Sequence, residues 1–178
     1  MLGLRAARVH PLRDVAAPWL RRIAADFEET ATLSILVSDY RICIDQVESP
    51  RQIRMSVPLG QPFPLHAGAS GRSILAALPP DDLEQYLAGR SLDQLTSSTI
   101  TDRQKLLKQL EEDRTRGYAV AVKERDREAF SVAAPICQGS QVVGSIAICG
   151  PASRFDADAA PRLGEAVAEA ANQIGRAL

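Results

Sequence analysis

Apolar residues recur at two different spacings along the chain, and these spacings predict where helices and strands lie. From Leu12 to Phe27 they return every third or fourth position, which predicts an amphipathic helix. Pro18 falls inside that pattern, and we expect a kink or a restart there because proline removes a backbone donor and clashes with the preceding turn. The same spacing returns from Leu163 to Leu178 and predicts a last helix.

Alternation of apolar and polar residues predicts short strands in two blocks. The predicted strands are residues 32–37, 41–47, 52–57, 118–122, 130–137 and 142–149. Between the blocks, Thr101 or Asp102 can cap a helix that ends before Gly117. Two blocks of strands with intervening and flanking helices predict an α+β fold, a central antiparallel sheet of about six strands covered by helices.

Residues 60–78 join a loop stiffened by Pro62 and Pro64 to an apolar helix that starts with small residues. Residues 68–71 carry almost no side chain, so we expect the first amides of this helix to be bare. Unpaired N–H groups and the positive end of the helix dipole attract a carboxylate or a phosphate. The alternative interpretation is that small residues only permit close helix packing.

The composition indicates one globular domain and excludes several classes of protein. The chain has 178 residues, of which 46% are apolar and 24% are charged, and its formal net charge is −1. No apolar run is long enough to span a membrane, no signal peptide is evident, and we expect a cytoplasmic location. The near-neutral charge argues against nucleic-acid binding by this region alone. Cys43, Cys137 and Cys149 lack zinc-site spacing and predict buried reduced thiols.

Catalytic chemistry finds little support in the sequence. Of the two histidines, His10 lies near the start of the chain and only His66 adjoins the small-residue helix. Ser70 is not framed by a nucleophile-elbow motif, and neither metal-ligand spacing nor a nucleotide-binding glycine motif is present. We therefore expect no catalytic residue, metal or cofactor, and interpret His66 as a brace for the helix start.

Six short segments, in this order, resemble the effector-binding domain of IclR-type bacterial transcription regulators. They are Val47-Glu48-Ser49, residues 60–67 with Gly71-Arg72, residues 99–102, residues 116–119, residues 132–136 and residues 150–154. The resemblance implies a GAF-like fold for residues 11–178. It also implies that residues 1–10 are the remnant of a connector to an N-terminal winged helix-turn-helix domain that binds DNA. Assembly as homodimers and dimers of dimers is implied as well.

The resemblance further implies a ligand site between the sheet and the small-residue helix. A small organic acid would place its acid group on the amides of Ala69 and Ser70, beside Gly68. The other implied wall positions are Met55, Ala121, Ala129, Ser131, Ala147 and Cys149. Since several of these carry apolar or weakly polar side chains where relatives have polar groups, we expect a larger, apolar or aromatic acid.

Two features depart from the family pattern. Residues 123–128 are all charged and could either cover the pocket or remain solvated, and we interpret Arg72 as an exposed helix charge. The sequence therefore predicts a ligand-sensing domain that signals through oligomer rearrangement. The alternatives are an oligomerisation module with a vestigial pocket and a small enzyme that uses His66 and Ser70.

Overall fold

A computed structural model describes the backbone of residues 2–178 and the side chains of residues 11–178. The helices are α1 (Leu2–Phe27), α2 (Ala69–Ala77), α3 (Pro80–Leu87), α4 (Arg103–Arg116) and α5 (Ala160–Ala177). The strands are β1 (Thr30–Val37), β2 (Tyr40–Val47), β3 (Pro62–Pro64), β4 (Ala119–Val122), β5 (Ala129–Gln138) and β6 (Gln141–Pro151). Met1 and the side chains of the expected connector, residues 1–10, lie outside that description.

The strands form one antiparallel sheet in the order β3-β2-β1-β6-β5-β4. The predicted α+β class and the six-stranded antiparallel sheet are therefore confirmed. The GAF-like classification stays a prediction. None of the helices in residues 2–178 combines the length and the apolar character needed to cross a membrane.

The third predicted strand, residues 52–57, is wrong. The third strand is instead Pro62–Pro64, which pairs with the start of β2 at the edge of the sheet, where missing proline N–H groups are tolerated. Side chains satisfy the backbone of the segment that was expected to pair. Thr30 Oγ1 donates to the carbonyl of Met55 at 2.6 Å, and the amide of Val57 donates to Gln46 Oε1 at 2.9 Å.

Helix α1 runs without a restart through Pro18, so the restart expected there does not occur. Pro18 lies on the exposed side of the helix, where water can satisfy the carbonyl that loses its partner. The opposite side, which includes Leu20, packs with α5 onto one face of the sheet. Helix α1 therefore covers β1, and its amphipathic character agrees with the prediction from the apolar spacing.

Alternate residues of β5 and β6 divide between the two faces of the sheet. Val132 and Ile148 join the core beneath α1 and α5. Ala133 and Ala147 instead meet Ala69 at the start of α2. Because these contacting residues of the sheet and of the helix are all alanines, the first turn of α2 lies close against the sheet.

Candidate ligand-binding site

A cavity of about 30 Å³ lies between the start of α2, the sheet and the loop of residues 123–128. That volume holds about two water molecules. Its lining consists of Thr32, Arg41, Met55, Val57, Gly68, Ala69, Ser70, Ala121, Glu124, Arg125, Asp126, Ala129, Phe130, Ser131 and Cys149. The cavity is too small for an organic acid unless a wall moves.

Eight of the nine predicted ligand-binding residues line this cavity. They are Met55, Gly68, Ala69, Ser70, Ala121, Ala129, Ser131 and Cys149. Ala147 does not line it, because its small side chain is fully covered by the first turn of α2 and by neighbouring alanines. Ligand binding by the other eight residues stays a prediction.

The first amides of α2 are partly occupied by the protein's own side chains. The amide of Gly68 donates to Glu124 Oε2 at 3.2 Å, and the amide of Ala69 donates to Ser131 Oγ at 3.2 Å. The expectation of bare donors is therefore wrong for these two residues. The Ser70 amide donates to none of the described residues. The chain thus places one of its own carboxylates at the helix start, where an acid was expected.

Two glycines of this segment serve different purposes. Gly68 has a φ of +87°, a left-handed conformation that side chains rarely adopt. At Gly71, a Cβ atom would lie 2.4 Å from the carbonyl oxygen of Leu65, so only glycine lets the helix pass this loop. The close-packing interpretation is therefore correct for Gly71, and it does not exclude a ligand beside Gly68.

Arg72 is buried, so its interpretation as an exposed helix charge is wrong. Only 1% of its surface is exposed, because α2 is enclosed by the sheet and α4. Its Nε donates to Asp113 Oδ2 at 3.0 Å, and its Nη2 donates to the carbonyl of Val120 at 2.7 Å. Its Nη1 pairs with Glu124 Oε1. Burial raises the pKa of Glu124, and the charge of Arg72 works in the opposite direction.

Arg41 is a second buried arginine, and the sequence analysis missed it. Only 4% of its surface is exposed, and its Nη1 donates to Ser34 Oγ at 3.2 Å. Its Nε is buried without a partner. The signal was available in the strand alternation, since Arg41 has the same phase as buried Cys43 in β2.

Arg125 approaches the same place from the loop. The guanidinium carbons of Arg41 and Arg125 lie 4.8 Å and 4.7 Å from the centre of the Phe63 ring. Arg125 Nη1 is also buried without a partner. Burial, and then the charge of Arg125, lowers the pKa of Arg41 to about 10. The interpretation of a fully solvated loop is therefore wrong for Arg125, whereas Arg127 is exposed.

Within the described part of the chain, neither Arg41 nor Arg125 forms an ion pair with a carboxylate. Both side chains line the cavity. The site therefore presents two cations with spare N–H donors next to the start of α2.

His66 and Ser70 do not form a nucleophile pair in the structure. His66 Nε2 lies 2.9 Å from the carbonyl oxygen of Asp93, so the ring joins the segment that precedes α2 to the loop after α3. The cysteines are unpaired, with Cys43 and Cys149 buried and Cys137 half-buried. Burial raises the pKa of Cys149 to about 12, which keeps the thiol that lines the cavity protonated.

Comparisons with known proteins give a consistent result. Residues 4–176 match the family model of the bacterial transcriptional regulator IclR C-terminal domain. The chain is 33% identical to the HTH-type transcriptional regulator KipR of Bacillus subtilis, with 94% of this chain and 67% of KipR covered. It is 34% identical to the HTH-type transcriptional repressor AllR of Escherichia coli, with 100% of this chain and 67% of AllR covered. These relatives are regulators rather than enzymes.

Solved structures of IclR-family regulators have the same fold as this chain. The crystal structure of IclR from Thermotoga maritima superposes with a TM-score of 0.88 at 33% identity, covering 93% of this chain and 67% of that one. The inducer-binding domain of a double mutant of PobR from Acinetobacter superposes with a TM-score of 0.79 at 20% identity, covering 91% of this chain and 96% of that one, and shows the fold alone. The chain belongs to the IclR family of bacterial transcriptional regulators and corresponds to their C-terminal domain.

Proposed function

We propose that this domain binds a small organic acid in the cavity at the start of α2 and passes the signal to a DNA-binding domain. The observation that carries the proposal is the set of unpaired donors around the cavity, on Arg41, Arg125 and the Ser70 amide. Buried donors without partners are costly, and an acid group would satisfy them. The PobR domain, which shares the fold, forms a complex with 3-hydroxybenzoic acid, a carboxylic acid.

The remaining parts of the proposal concern the whole regulator. Residues 1–10 would connect this domain to an N-terminal winged helix-turn-helix domain, through which alone the protein would contact DNA. The protein would act in the cytoplasm as a homodimer or a dimer of dimers. Ligand binding would favour one arrangement of protomers and thereby change the spacing of the DNA-binding domains.

A ligand larger than the cavity would need one of its walls to move, and we propose that this wall is the loop of residues 123–128. Arg125 of this loop lies over Phe63, and its Cβ is 3.6 Å from where a Cβ on Gly68 would lie. Since the cavity of about 30 Å³ is smaller than an organic acid, such a ligand would need this wall to move before it could bind. If the ligand binds only the conformation in which the loop has moved, it shifts the population of the protein toward that conformation.

A thermal-shift screen of organic acids tests this function. A ligand that binds only the folded state raises the melting temperature as its concentration rises. We expect at least one class of small acid to do so, and the response should disappear when Ser70 is replaced by proline, which removes the free amide. Tm values that stay constant across mono- and dicarboxylic acids, aliphatic and aromatic, would contradict the proposal.

The second candidate, an oligomerisation module with a vestigial pocket, is favoured by one observation. Glu124 and Ser131 already occupy the amides of Gly68 and Ala69. This candidate predicts no thermal shift with any acid, together with a stable oligomer in sedimentation analysis. The sensor function predicts that an acid changes both measurements.

A further inference from the structure

The charges around the cavity do not balance. Arg72, Asp113 and Glu124 form a connected buried network, which Arg116 completes at its edge by pairing with Asp113 Oδ1 at 2.5 Å. That network contains two cations and two anions. The carboxylates of this network are therefore already paired with Arg72 and Arg116, and they do not neutralise Arg41 or Arg125.

Asp126 is the other carboxylate of the cavity lining, and it is turned toward its own loop. Its Oδ1 accepts a hydrogen bond from the amide of Glu128 at 2.9 Å. No ion pair joins it to Arg41 or Arg125 among the described residues. Two positive charges at the cavity consequently lack a counter-charge from the described side chains.

Such a pair is unfavourable without an anion. Arg41 is almost completely buried, and like charges brought to the same aromatic ring repel each other. Guanidinium groups carry five donors in a planar fork that matches a carboxylate. The spare donors are Nε of Arg41 and Nη1 of Arg125, and both are buried.

We propose that Arg41 and Arg125 recognise a doubly charged ligand, a short dicarboxylic acid, whose two negative charges neutralise the two guanidinium groups. This inference rests on the proposed function and names the ligand class of the same site. It departs from the apolar or aromatic acid expected from the sequence, because that expectation did not include Arg41. Arg125 lies on the loop of residues 123–128, so its bond to the ligand would also tie this loop to the site.

Matched probes test the charge requirement. Malonate and succinate carry two carboxylates, whereas propionate, butyrate and succinamate are close in size and carry one. We expect calorimetric titration of the chain to give dissociation constants about tenfold to a hundredfold lower for a dicarboxylate than for its matched monoacid. Raising the salt concentration should weaken the dicarboxylate more than the monoacid.

Arginine variants test which side chains produce the preference for two negative charges. Arg125→Met should reduce the preference for two charges to less than about threefold, and Arg125→Lys should restore part of it because it keeps the charge. Arg127→Met is the matched control, since Arg127 is exposed on the same loop and should leave the preference unchanged. Arg41→Met should also remove the preference, and the melting curve of each variant shows whether it remains folded.

The outcomes separate this inference from the proposed function. If monoacids bind as tightly as dicarboxylates, or if Arg127→Met acts like Arg125→Met, the dianion assignment is overturned while acid sensing stands. If none of these probes binds but another acid raises the melting temperature in the thermal-shift screen, the dianion assignment is overturned while acid sensing stands. If no acid binds in either experiment, both are overturned. A dicarboxylate preference that is lost in Arg125→Met and kept in Arg127→Met supports the assignment.

Discussion

Arg72 and Arg41 are both buried, yet their surroundings differ in a way that separates structure from function. Arg72 meets two carboxylates and a carbonyl, so its charge and donors are satisfied within the chain. Arg41 meets one neutral hydroxyl and the face of Phe63. Burial alone therefore does not define the role of a charge. A fully paired arginine holds elements together, whereas a poorly paired one beside a cavity is available to a ligand.

The largest expected effect is the loss of the paired arginine. Arg72→Met leaves Glu124 buried without its cation and leaves Asp113 with Arg116 alone, and we expect the free energy of unfolding to fall by about 3–5 kcal/mol. Urea denaturation followed by circular dichroism measures this loss. Because burial raises the pKa of Glu124, protonation can neutralise this carboxylate once Arg72 is gone, so the loss of stability should shrink as the pH falls toward 5.

The matched control for Arg72 is an exposed pair. Arg103 donates to Glu84 at 2.8 Å, and both side chains are exposed. Arg103→Met should change the free energy of unfolding by less than about 1 kcal/mol. Equal losses in the two variants would contradict the expectation that the buried network contributes more to stability than the exposed pair.

The unpaired arginine should behave in the opposite direction. The pKa of Arg41 in the folded protein, about 10, lies below the ordinary value of 12.5, so folding disfavours its charged form at neutral pH. Arg41→Met keeps the apolar stem and removes the charge, and we expect the free energy of unfolding to rise by about 1 kcal/mol. Urea denaturation followed by circular dichroism measures this change in the free energy of unfolding. A loss comparable with that of Arg72→Met would assign Arg41 a structural role.

The smallest expected effect concerns the occupied amide beside these arginines. Ser131→Ala removes the acceptor of the Ala69 N–H, and we expect a loss of about 0.5–1 kcal/mol because a water in the cavity can replace the hydroxyl. Differential scanning calorimetry detects it, with Ser98→Ala, an exposed position, as the control. A loss above about 3 kcal/mol would show that the cavity excludes water at this amide.

Local signals in the sequence were enough for several elements. The sequence predicts a helix with Thr101 or Asp102 as its N-cap, and α4 begins directly after Asp102. The side chain of Asp102 accepts a hydrogen bond from the Lys105 amide at 2.8 Å. Helix α4 ends at Gly117, whose φ is +81°. Both signals concern atoms within one turn of the residue that produces them, so no distant contact was needed to predict them.

Contacts between distant segments were not predictable in the same way. Residues 52–57 alternate like a strand, but their backbone bonds go to side chains of β1 and β2 instead of a neighbouring strand. Arg72 looked like a surface charge because its partners lie 41 and 52 residues further along the chain. Periodicity records only which side a residue faces, and it contains no information about the element that arrives there.

The sequence by itself determined the α+β class, most of the strands, the helix start at residues 68–71 and the resemblance to the IclR family. Tertiary structure alone decided that two amides of that helix start are occupied and that Arg41 and Arg125 meet at Phe63. The physical reason is that propensity, capping and alternation act over a few residues. Charge compensation in a buried site depends on which side chains folding brings within hydrogen-bonding distance.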